Sequence, residues 1–160
     1  MDKHAYLIIA HHQFNLLEML VKLLDHEKND IYIHIDKKVQ NFDFSYFQSL
    51  TKYSKVYFTE RICNTWGGYS GIATELTLLK KAVIGEYAYY HLLSGVDLPL
   101  KTQDTIHAFF EQNQGKELIQ FGTPAFSRNE STVSRIRYYH FLQEKVGRKE
   151  QGLAHFLERS

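Results

Sequence analysis

The sequence has little cysteine, no long apolar run and no excess of charge of one sign. Its single cysteine, Cys63, excludes an internal disulfide and a zinc site built on cysteines. The longest apolar run near the start, residues 6–10, is too short for a signal peptide or a membrane span. We therefore expect a cytoplasmic chain with reduced thiols, and peripheral attachment to the inner face of a membrane stays open.

The charges are balanced. There are 19 lysines and arginines against 18 acidic residues, for a net charge of +1. The basic residues are scattered, so the basic patch that marks nucleic-acid binding is missing. With 44% hydrophobic residues, the 160-residue chain can build one core. We expect a single domain over residues 1–160 and no nucleic-acid partner.

Several catalytic signatures are absent as well. No G-x-G-x-x-G follows the first apolar run, there is no Walker A sequence, and Ser94 is not in a G-x-S-x-G elbow. No two aspartates are separated by one residue, which excludes a D-x-D metal clamp. His11 and His12 have no third ligand at a spacing typical of zinc. For this pair, ligand contact and a polar strand exit that caps the next helix are both favoured over a metal site.

Apolar runs of strand length alternate with stretches of helical spacing. A strand at 5–12, a helix at 14–26 and a strand at 31–35 form a βαβ unit, which predicts parallel pairing. Thr102 can cap a later helix, and Asp104 lies in its favourable first turn. We predict further strands at 55–59, 87–94 and 116–122, and further helices at 42–52, 72–85 and 103–113.

These elements specify an α/β fold with a mainly parallel sheet flanked by helices. In the helix at 72–85 the residues of the predicted apolar face are Ile72, Leu76, Leu79 and Val83. From about residue 123 the chain becomes a polar tail, which could hold a strand at 134–141 and a C-terminal amphipathic helix.

In open α/β sheets, ligands bind outside the carboxyl ends of the strands. His11-His12 follows the first predicted strand and Asp36 follows the second. At such a position Asp36 could accept hydrogen bonds from ribose hydroxyls or a uracil imide. An ordinary solvated turn is equally compatible with its position.

The loops after the third and fourth strands carry further candidates. Gly67 and Gly68 permit positive φ or close backbone approach to a ligand, and Ser70 could cap the helix that follows. The amide groups at the start of that helix favour an anionic group. The alternative is a glycine turn in which Trp66 covers the edge of the core. Asp97 could be catalytic or sugar-binding, or could hydrogen-bond its own turn.

Four segments together resemble one family, the core-2/I-branching β-1,6-N-acetylglucosaminyltransferases, which also includes peptide xylosyltransferases and many bacterial members. The resemblance covers residues 5 to about 121. It is carried by AYLIIAHHQFNLLEMLVKLL, NDIYIHIDKK, WGGYSGIATELTLLKKAV and YYHLLSGVDLPLKTQDTIHAFF. The strings H-[IV]-D-x-K, W-G-G-Y-S and L-S-G-x-D-x-P-[IL]-[KR], in this order, are specific as a set.

The resemblance implies a GT-A-like, Rossmann-like fold, a UDP-sugar donor, a glycan acceptor and inversion at the anomeric carbon. It implies no cofactor and no metal, since well-known members dispense with the D-x-D motif. Asp36 matches the aspartate that contacts uridine, and Ile9 and Ala10 lie where the chain flanks the base. Cys63 falls where some relatives carry a base-stacking tyrosine. Other matching residues are Trp66, Gly67 and Gly68 on the donor side, and Ser94, Gly95 and Asp97 in the loop beside the donor sugar and acceptor.

The same resemblance leaves the catalytic residue unknown. Family members use a late glutamate or aspartate as general base and a late basic pair against the pyrophosphate. Neither is identifiable after Gly122, where Arg135 and Arg137 could be mistaken for the basic pair. The glutamates of the tail lie in unrelated surroundings: Glu130, Glu144, Glu150 and Glu158.

We therefore expect a donor-side half of a transferase domain, apparently incomplete at its C-terminus, that serves surface polysaccharide synthesis. A dimer or a partner chain at the unfinished edge is part of this expectation. The main alternative is a non-catalytic module that binds UDP or a sugar nucleotide and depends on a partner. A receiver-like signalling domain is disfavoured, because HIDKK offers one aspartate beside two lysines rather than an acidic cluster.

Overall fold

The computed structural model describes residues 3–116, together with Leu118, Val133 and Arg137. Strands and helices alternate in this part of the chain, as the apolar spacing predicts. The strands are β1 (His4–Ala10), β2 (Asn29–Ile35), β3 (Lys55–Phe58) and β4 (Tyr89–Ser94). The helices are α1 (Phe14–Leu23), α2 (Phe44–Gln48), α3 (Tyr69–Ala82) and α4 (Gln103–Gln112), and a 3-10 turn, Val83–Gly85, extends α3.

The four described strands form one parallel sheet in the order β3-β2-β1-β4. β1 is central: His4 is in register with Asn29 of β2 and with Tyr89 of β4. All carboxyl ends therefore lie at the same edge of the sheet. The predicted α/β class is confirmed, and a parallel sheet flanked by helices is the arrangement of a GT-A-like fold.

Alternate residues of β1 and β2 pack into two hydrophobic clusters, one on each face of the sheet. On one face Ile8 and Ile33 pack with α1 and α2, whose buried side chains include Leu17 and Phe47. On the other face Leu7 packs with α3 in a smaller cluster; the buried members of that cluster are Ala5, Leu7, Tyr32, Leu78 and Ala82. Both faces of the sheet's centre are covered, which is why β1 is almost continuously apolar.

The predicted apolar face of α3 does not pack on the sheet. Its residues are exposed: Ile72, Leu76, Leu79 and Val83. The buried face consists of Ser70, Thr74, Leu78 and Ala82. This partly polar face can be buried because the Thr74 hydroxyl has a hydrogen-bond partner: its Oγ1 donates to the Ser70 carbonyl, 2.8 Å away. Apolar spacing finds an apolar stripe on a helix but does not show what the stripe faces.

Other elements are shorter than predicted. α1 ends at Leu23, α2 covers only Phe44–Gln48 with Asp43 as its N-cap, and β3 stops at Phe58. β4 begins at Tyr89 rather than at residue 87. The capping of α4 is confirmed: the Thr102 side chain accepts a hydrogen bond from the Thr105 N–H, and Asp104 lies in the first turn.

The prediction of a strand at 116–122 is wrong at its start. Lys116 donates its N–H to the Asn113 carbonyl in a turn that includes Gly115 at a φ of 77°, and Leu118 is not in a strand. Val133 and Arg137 are helical, so a strand over 134–141 is wrong at Arg137, where the apolar residues do not alternate strictly. The rest of these predictions and the C-terminal helix lie outside the described residues. None of the helices in the described part is both long and apolar enough to cross a bilayer.

Candidate functional site

Three strand exits are joined by backbone hydrogen bonds at the carboxyl edge of the sheet. The Asp36 N–H donates to the Ala10 carbonyl at 3.0 Å, and the Gly95 N–H donates to the Ile9 carbonyl at 2.8 Å. The last residues of β1 and the residues that follow β2 and β4 are therefore immediate neighbours. The candidates Ile9, Ala10, Asp36 and Gly95 come together, as expected of parallel strands.

Gly95 allows this close approach. It is buried, and a Cβ added to it would lie 2.6 Å from the Ala10 Cβ and 3.2 Å from the Ala10 Cα. Distances below 3.0 Å do not occur for real Cβ atoms, so a side chain here would push β4 away from β1. The glycine is thus explained by packing between two strand ends.

Asp97 closes its own turn. Its Oδ2 accepts a hydrogen bond from the Ser94 N–H at 2.7 Å, and its own N–H donates to the Ser94 carbonyl at 3.0 Å. Ser94 and Asp97 are both exposed. Of the two interpretations of Asp97, the turn contact is therefore observed.

Asp36 is only 5% exposed, so it is not a solvated turn residue. Its Oδ1 accepts a hydrogen bond from the Lys38 N–H at 2.8 Å, and its Oδ2 lies 3.8 Å from the Lys38 ammonium. One carboxylate oxygen thus orders the turn while the other faces a cation. An aspartate held rigidly in this way presents a preorganised acceptor at the sheet edge.

His11 and His12 lie beside this turn. Their rings stack with centroids 4.2 Å apart, and both residues are exposed. Burial of part of the ring lowers the pKa of His11, and the neighbouring His12 lowers it further, while Asp36 acts in the opposite direction. Neither histidine caps α1: the N-cap is Gln13, at a φ of 51° and without a side-chain capping bond. The capping interpretation of the pair is therefore wrong.

The loop between β3 and α3, residues 59–68, is fastened to the exit of β2. The Arg61 guanidinium donates to the carbonyls of Ile35, Asp36 and Val39. The Ile62 carbonyl accepts from the Lys37 N–H at 3.0 Å, and the Lys38 ammonium donates to the Asn64 carbonyl.

A buried imidazole adds a further contact to this loop. The Ile62 N–H donates to Nε2 of His34 at 2.9 Å. The loop that carries Cys63 is consequently anchored next to Asp36.

Two further candidates in this loop are exposed. Cys63 is a free, exposed thiol, and Trp66 is 66% exposed, so Trp66 does not cover the edge of the core. Gly67 has a φ of 78°, a value that favours glycine. Gly68 is the N-cap of α3; Ser70 lies inside the helix, where its Oγ accepts from the Thr65 N–H, so the prediction that Ser70 is the cap is wrong.

The described residues contain no group of three or more His, Cys, Asp or Glu side chains placed to hold a metal ion. The side chains at this edge include the Asp36 carboxylate, the Lys38 ammonium and the stacked rings of His11 and His12. Such a set can bind a polar ligand with hydroxyl or imide donors and an anionic portion.

Sequence reasoning did not single out His34, Arg61 or Asn64, and it treated Lys38 only as part of the turn. A signal for His34 was available, since it is a polar residue inside the apolar run IYIHI. Arg61 follows the end of β3 by three residues but has no local pattern that reveals its three carbonyl partners. Such contacts depend on which strand lies beside which, and local spacing does not encode that order.

Comparison of the sequence with known proteins identifies a matching family. The family model described as Core-2/I-Branching enzyme matches residues 4–145. A mouse N-acetyllactosaminide beta-1,6-N-acetylglucosaminyl-transferase is 24% identical over 140 residues, covering 85% of this chain and 34% of the relative. Xylosyltransferase 2 from dog and xylosyltransferase 1 from human are each 26% identical over 121 residues. These two matches cover 72% of this chain and, respectively, 14% and 13% of the relatives.

The chain thus spans about a third or less of the length of these relatives. The family match nevertheless includes all four described strands and the loops that converge at their carboxyl ends. On this evidence the chain belongs to the Core-2/I-Branching enzyme family.

Proposed function

We propose that the chain is the donor-binding part of an inverting glycosyltransferase. It would hold a UDP-sugar, with N-acetylglucosamine or a related sugar as the transferred group, for attack by a hydroxyl of an acceptor glycan in surface polysaccharide synthesis. The observation that carries the proposal is the buried Asp36, ordered by its own turn at the point where three strand exits and the anchored loop 59–68 meet.

The chemistry of this edge suits a nucleoside diphosphate. A fixed carboxylate accepts hydrogen bonds from hydroxyl or imide donors, which a uridine offers and an apolar ligand does not. The ammonium of Lys38, exposed over 59% of its side chain, and the amide groups at the start of α3 favour the anionic diphosphate. Cys63 and Trp66, both exposed, would contact the base or the sugar.

An inverting transfer also needs a base that removes the proton of the acceptor hydroxyl as that hydroxyl attacks the anomeric carbon and UDP leaves. We assign no described residue to this step, because the carboxylate of Asp97, the candidate for it, accepts a hydrogen bond within its own turn. The chain is therefore proposed to bind the donor, and its own turnover is expected to be low or absent.

The proposal is tested by calorimetry with UDP, UDP-N-acetylglucosamine, UDP-xylose and GDP-mannose. We expect the uridine nucleotides to bind, GDP-mannose to bind more weakly, and EDTA to change nothing. Asp36→Asn keeps the shape of the side chain and removes its charge. Loss of one charge-assisted hydrogen bond should weaken UDP binding about tenfold, or about 1.4 kcal/mol.

The matched control is Asp104→Asn. Asp104 is an exposed aspartate in α4, where it contacts His26 away from the loops described above. This variant should bind UDP as the wild type does. Equal binding of GDP-mannose, or an unchanged affinity of Asp36→Asn, would remove the basis for a uridine site.

A second candidate function is favoured by one observation, the apolar surface of α3 and β4. Its exposed residues are Tyr69, Ile72, Leu76, Leu79, Val83 and Leu92. A surface of this kind marks a position where another polypeptide packs, so a partner-dependent donor-binding subunit is the alternative. Both functions expect UDP binding with little or no turnover by the chain alone. Sugar transfer that appears only when a second polypeptide is added supports the subunit, and robust transfer by the chain alone contradicts it.

A further inference from the structure

We propose that His34 is a positioning residue of the donor site, holding loop 59–68 beside Asp36 through its hydrogen bond to Ile62. The inference rests on the proposed function and deepens it. His34 would not touch the donor; it would act through the loop that carries Cys63 and Trp66.

The geometry defines the state of the imidazole. His34 is fully buried, with 0% exposure, and its Nε2 lies 2.9 Å from the Ile62 backbone nitrogen. Since a backbone N–H can only donate, Nε2 must be the unprotonated nitrogen. The ring is therefore neutral and carries its proton on Nδ1.

This contact completes the anchoring of one residue. The Ile62 carbonyl already accepts from the Lys37 N–H, so both backbone polar groups of Ile62 are bound to β2 or its exit. The residues on either side, Arg61 and Cys63, are placed by the same fixed peptide. Loss of the His34 acceptor would leave the Ile62 N–H without this partner, and the loop would gain freedom next to Asp36.

The His34 contact differs from the Arg61 contacts because a proton can break it. An imidazolium donates from both nitrogens and accepts from neither. Burial lowers the pKa of His34; Asp36 acts to raise it and Arg61 to lower it. The buried residues of α3 (Ser70, Thr74, Leu78 and Ala82) carry no charge, and neither do Ile9 of β1 and Thr59, which follows β3. Lys81 of α3 is charged and donates to the Phe58 carbonyl at the end of β3. The contact is thus expected to persist at neutral pH and to be lost only when the pH falls below the lowered pKa of His34.

Two amide substitutions separate positioning from plain stability. In His34→Gln the side-chain oxygen reaches about as far as Nε2 and can still accept from Ile62 without titrating. In His34→Asn the shorter side chain cannot reach. We expect His34→Asn to bind UDP about tenfold more weakly at pH 7.5, the cost of one unsatisfied buried N–H, and His34→Gln to stay within about threefold of wild type.

The matched control is His107→Gln. His107 is also a buried histidine, but its Nε2 pairs with Asn29 at the opposite edge of the sheet. This variant should lower the melting temperature and leave the affinity for UDP unchanged. All affinities are measured well below each melting temperature, so that a purely structural role of His34 would change melting and not binding.

Acidification gives an independent test without relying on the fold of His34→Asn. Once the pH falls below the lowered pKa of His34, the affinity of wild type for UDP should fall relative to that of His34→Gln. Because the same ligand is used with both proteins, titration of the UDP phosphate cancels in the ratio. Nitrogen-15 spectroscopy of the ligand-free wild type should show the Nδ1–H form of His34.

The outcomes decide between the two proposals. If wild type binds UDP and folded His34→Asn binds equally well, the positioning role is wrong and the uridine site stands. If the spectra show the Nε2–H form, or if the affinity ratio stays constant over the pH range in which the spectra show His34 becoming protonated, the positioning role is also wrong. If wild type binds no UDP, the proposed function fails and the positioning role fails with it.

Discussion

At the scale of single residues, the site depends on groups that fix the backbone more than on groups that point into solvent. Asp36 orders its own turn, Arg61 binds three carbonyls, and Gly95 lets two strand ends approach. These roles require particular atoms at particular distances. Conservative substitutions at such positions should therefore measurably lower the free energy of unfolding.

Gly95→Ala is the most direct test at this scale. The new Cβ would lie 2.6 Å from the Ala10 Cβ, and Ala10 cannot move easily because β1 is paired on both sides. We expect the free energy of unfolding to fall by about 1–3 kcal/mol, measured by urea denaturation.

Gly71→Ala serves as the control for this substitution. A Cβ at Gly71 in α3 would meet only Asn64 Oδ1, at 3.7 Å, so alanine should stabilise the helix by up to about 1 kcal/mol. If Gly95→Ala proved as stable as wild type, the close approach of β1 and β4 would be incorrect.

At the scale of secondary structure, α3 shows that amphipathic spacing and burial can disagree. Leu78 is completely buried, whereas its neighbour Leu79 is 40% exposed, although Leu79 belongs to the apolar face predicted from the sequence. The two leucines are adjacent and chemically identical. They therefore provide a matched pair for deciding which face of the helix packs on the sheet.

Leu78→Ala should lower the free energy of unfolding by about 2–5 kcal/mol, the usual cost of a cavity in a core. Leu79→Ala should cost less than about 1 kcal/mol, because much of this side chain is already in water. Chemical denaturation of both variants measures the difference. The reverse order of costs would show that α3 is rotated relative to the orientation described above.

At the scale of the whole molecule, the two edges of the sheet have different chemistry. The edge opposite the candidate site holds a cluster of histidines in which His4 and His91 share a hydrogen bond of 3.0 Å and the rings of His4 and His107 lie 4.2 Å apart. Burial lowers the pKa of His4 to about 3, helped by His107 and His91, and lowers that of His91 to about 4. These histidines are thus neutral in the folded protein down to quite acidic pH.

This cluster predicts acid sensitivity. In the unfolded chain histidines take up protons below about pH 6.5, whereas His4 and His91 in the folded chain do not. The contribution of these histidines to the free energy of unfolding should therefore be fully present above that pH. It should decline as the pH falls towards 4 for His91 and 3 for His4. The free energy of unfolding should fall by about 1.4 kcal/mol per pH unit for each such histidine.

Urea denaturation at a series of pH values between 7.5 and 4.5 measures this slope. His91→Gln cannot titrate and can still hydrogen-bond to His4. Its free energy of unfolding should therefore change less steeply with pH than that of wild type, by the contribution of one histidine. A stability that is independent of pH over this range would contradict the neutral state of the cluster.

The element order and the parallel sheet could be predicted from the sequence, because apolar runs such as YLIIA and IYIHI are long and distinct. The convergence of Asp36, Ala10 and Gly95 followed from the rule that parallel strands end at one edge. The orientation of α3 and the contacts of Arg61 and His34 could not be predicted. They depend on which elements become neighbours in space, and no local spacing records that.

The separation of the two polar edges has an electrostatic consequence. β1 has seven residues, so its ends, His4 and Ala10, are about 20 Å apart at the usual rise per residue. This span exceeds the Debye length of about 8 Å at physiological ionic strength. Where solvent separates them, charge gained by the histidine cluster is therefore largely screened from the carboxyl edge, and the acid response of folding can be followed separately from that of ligand binding.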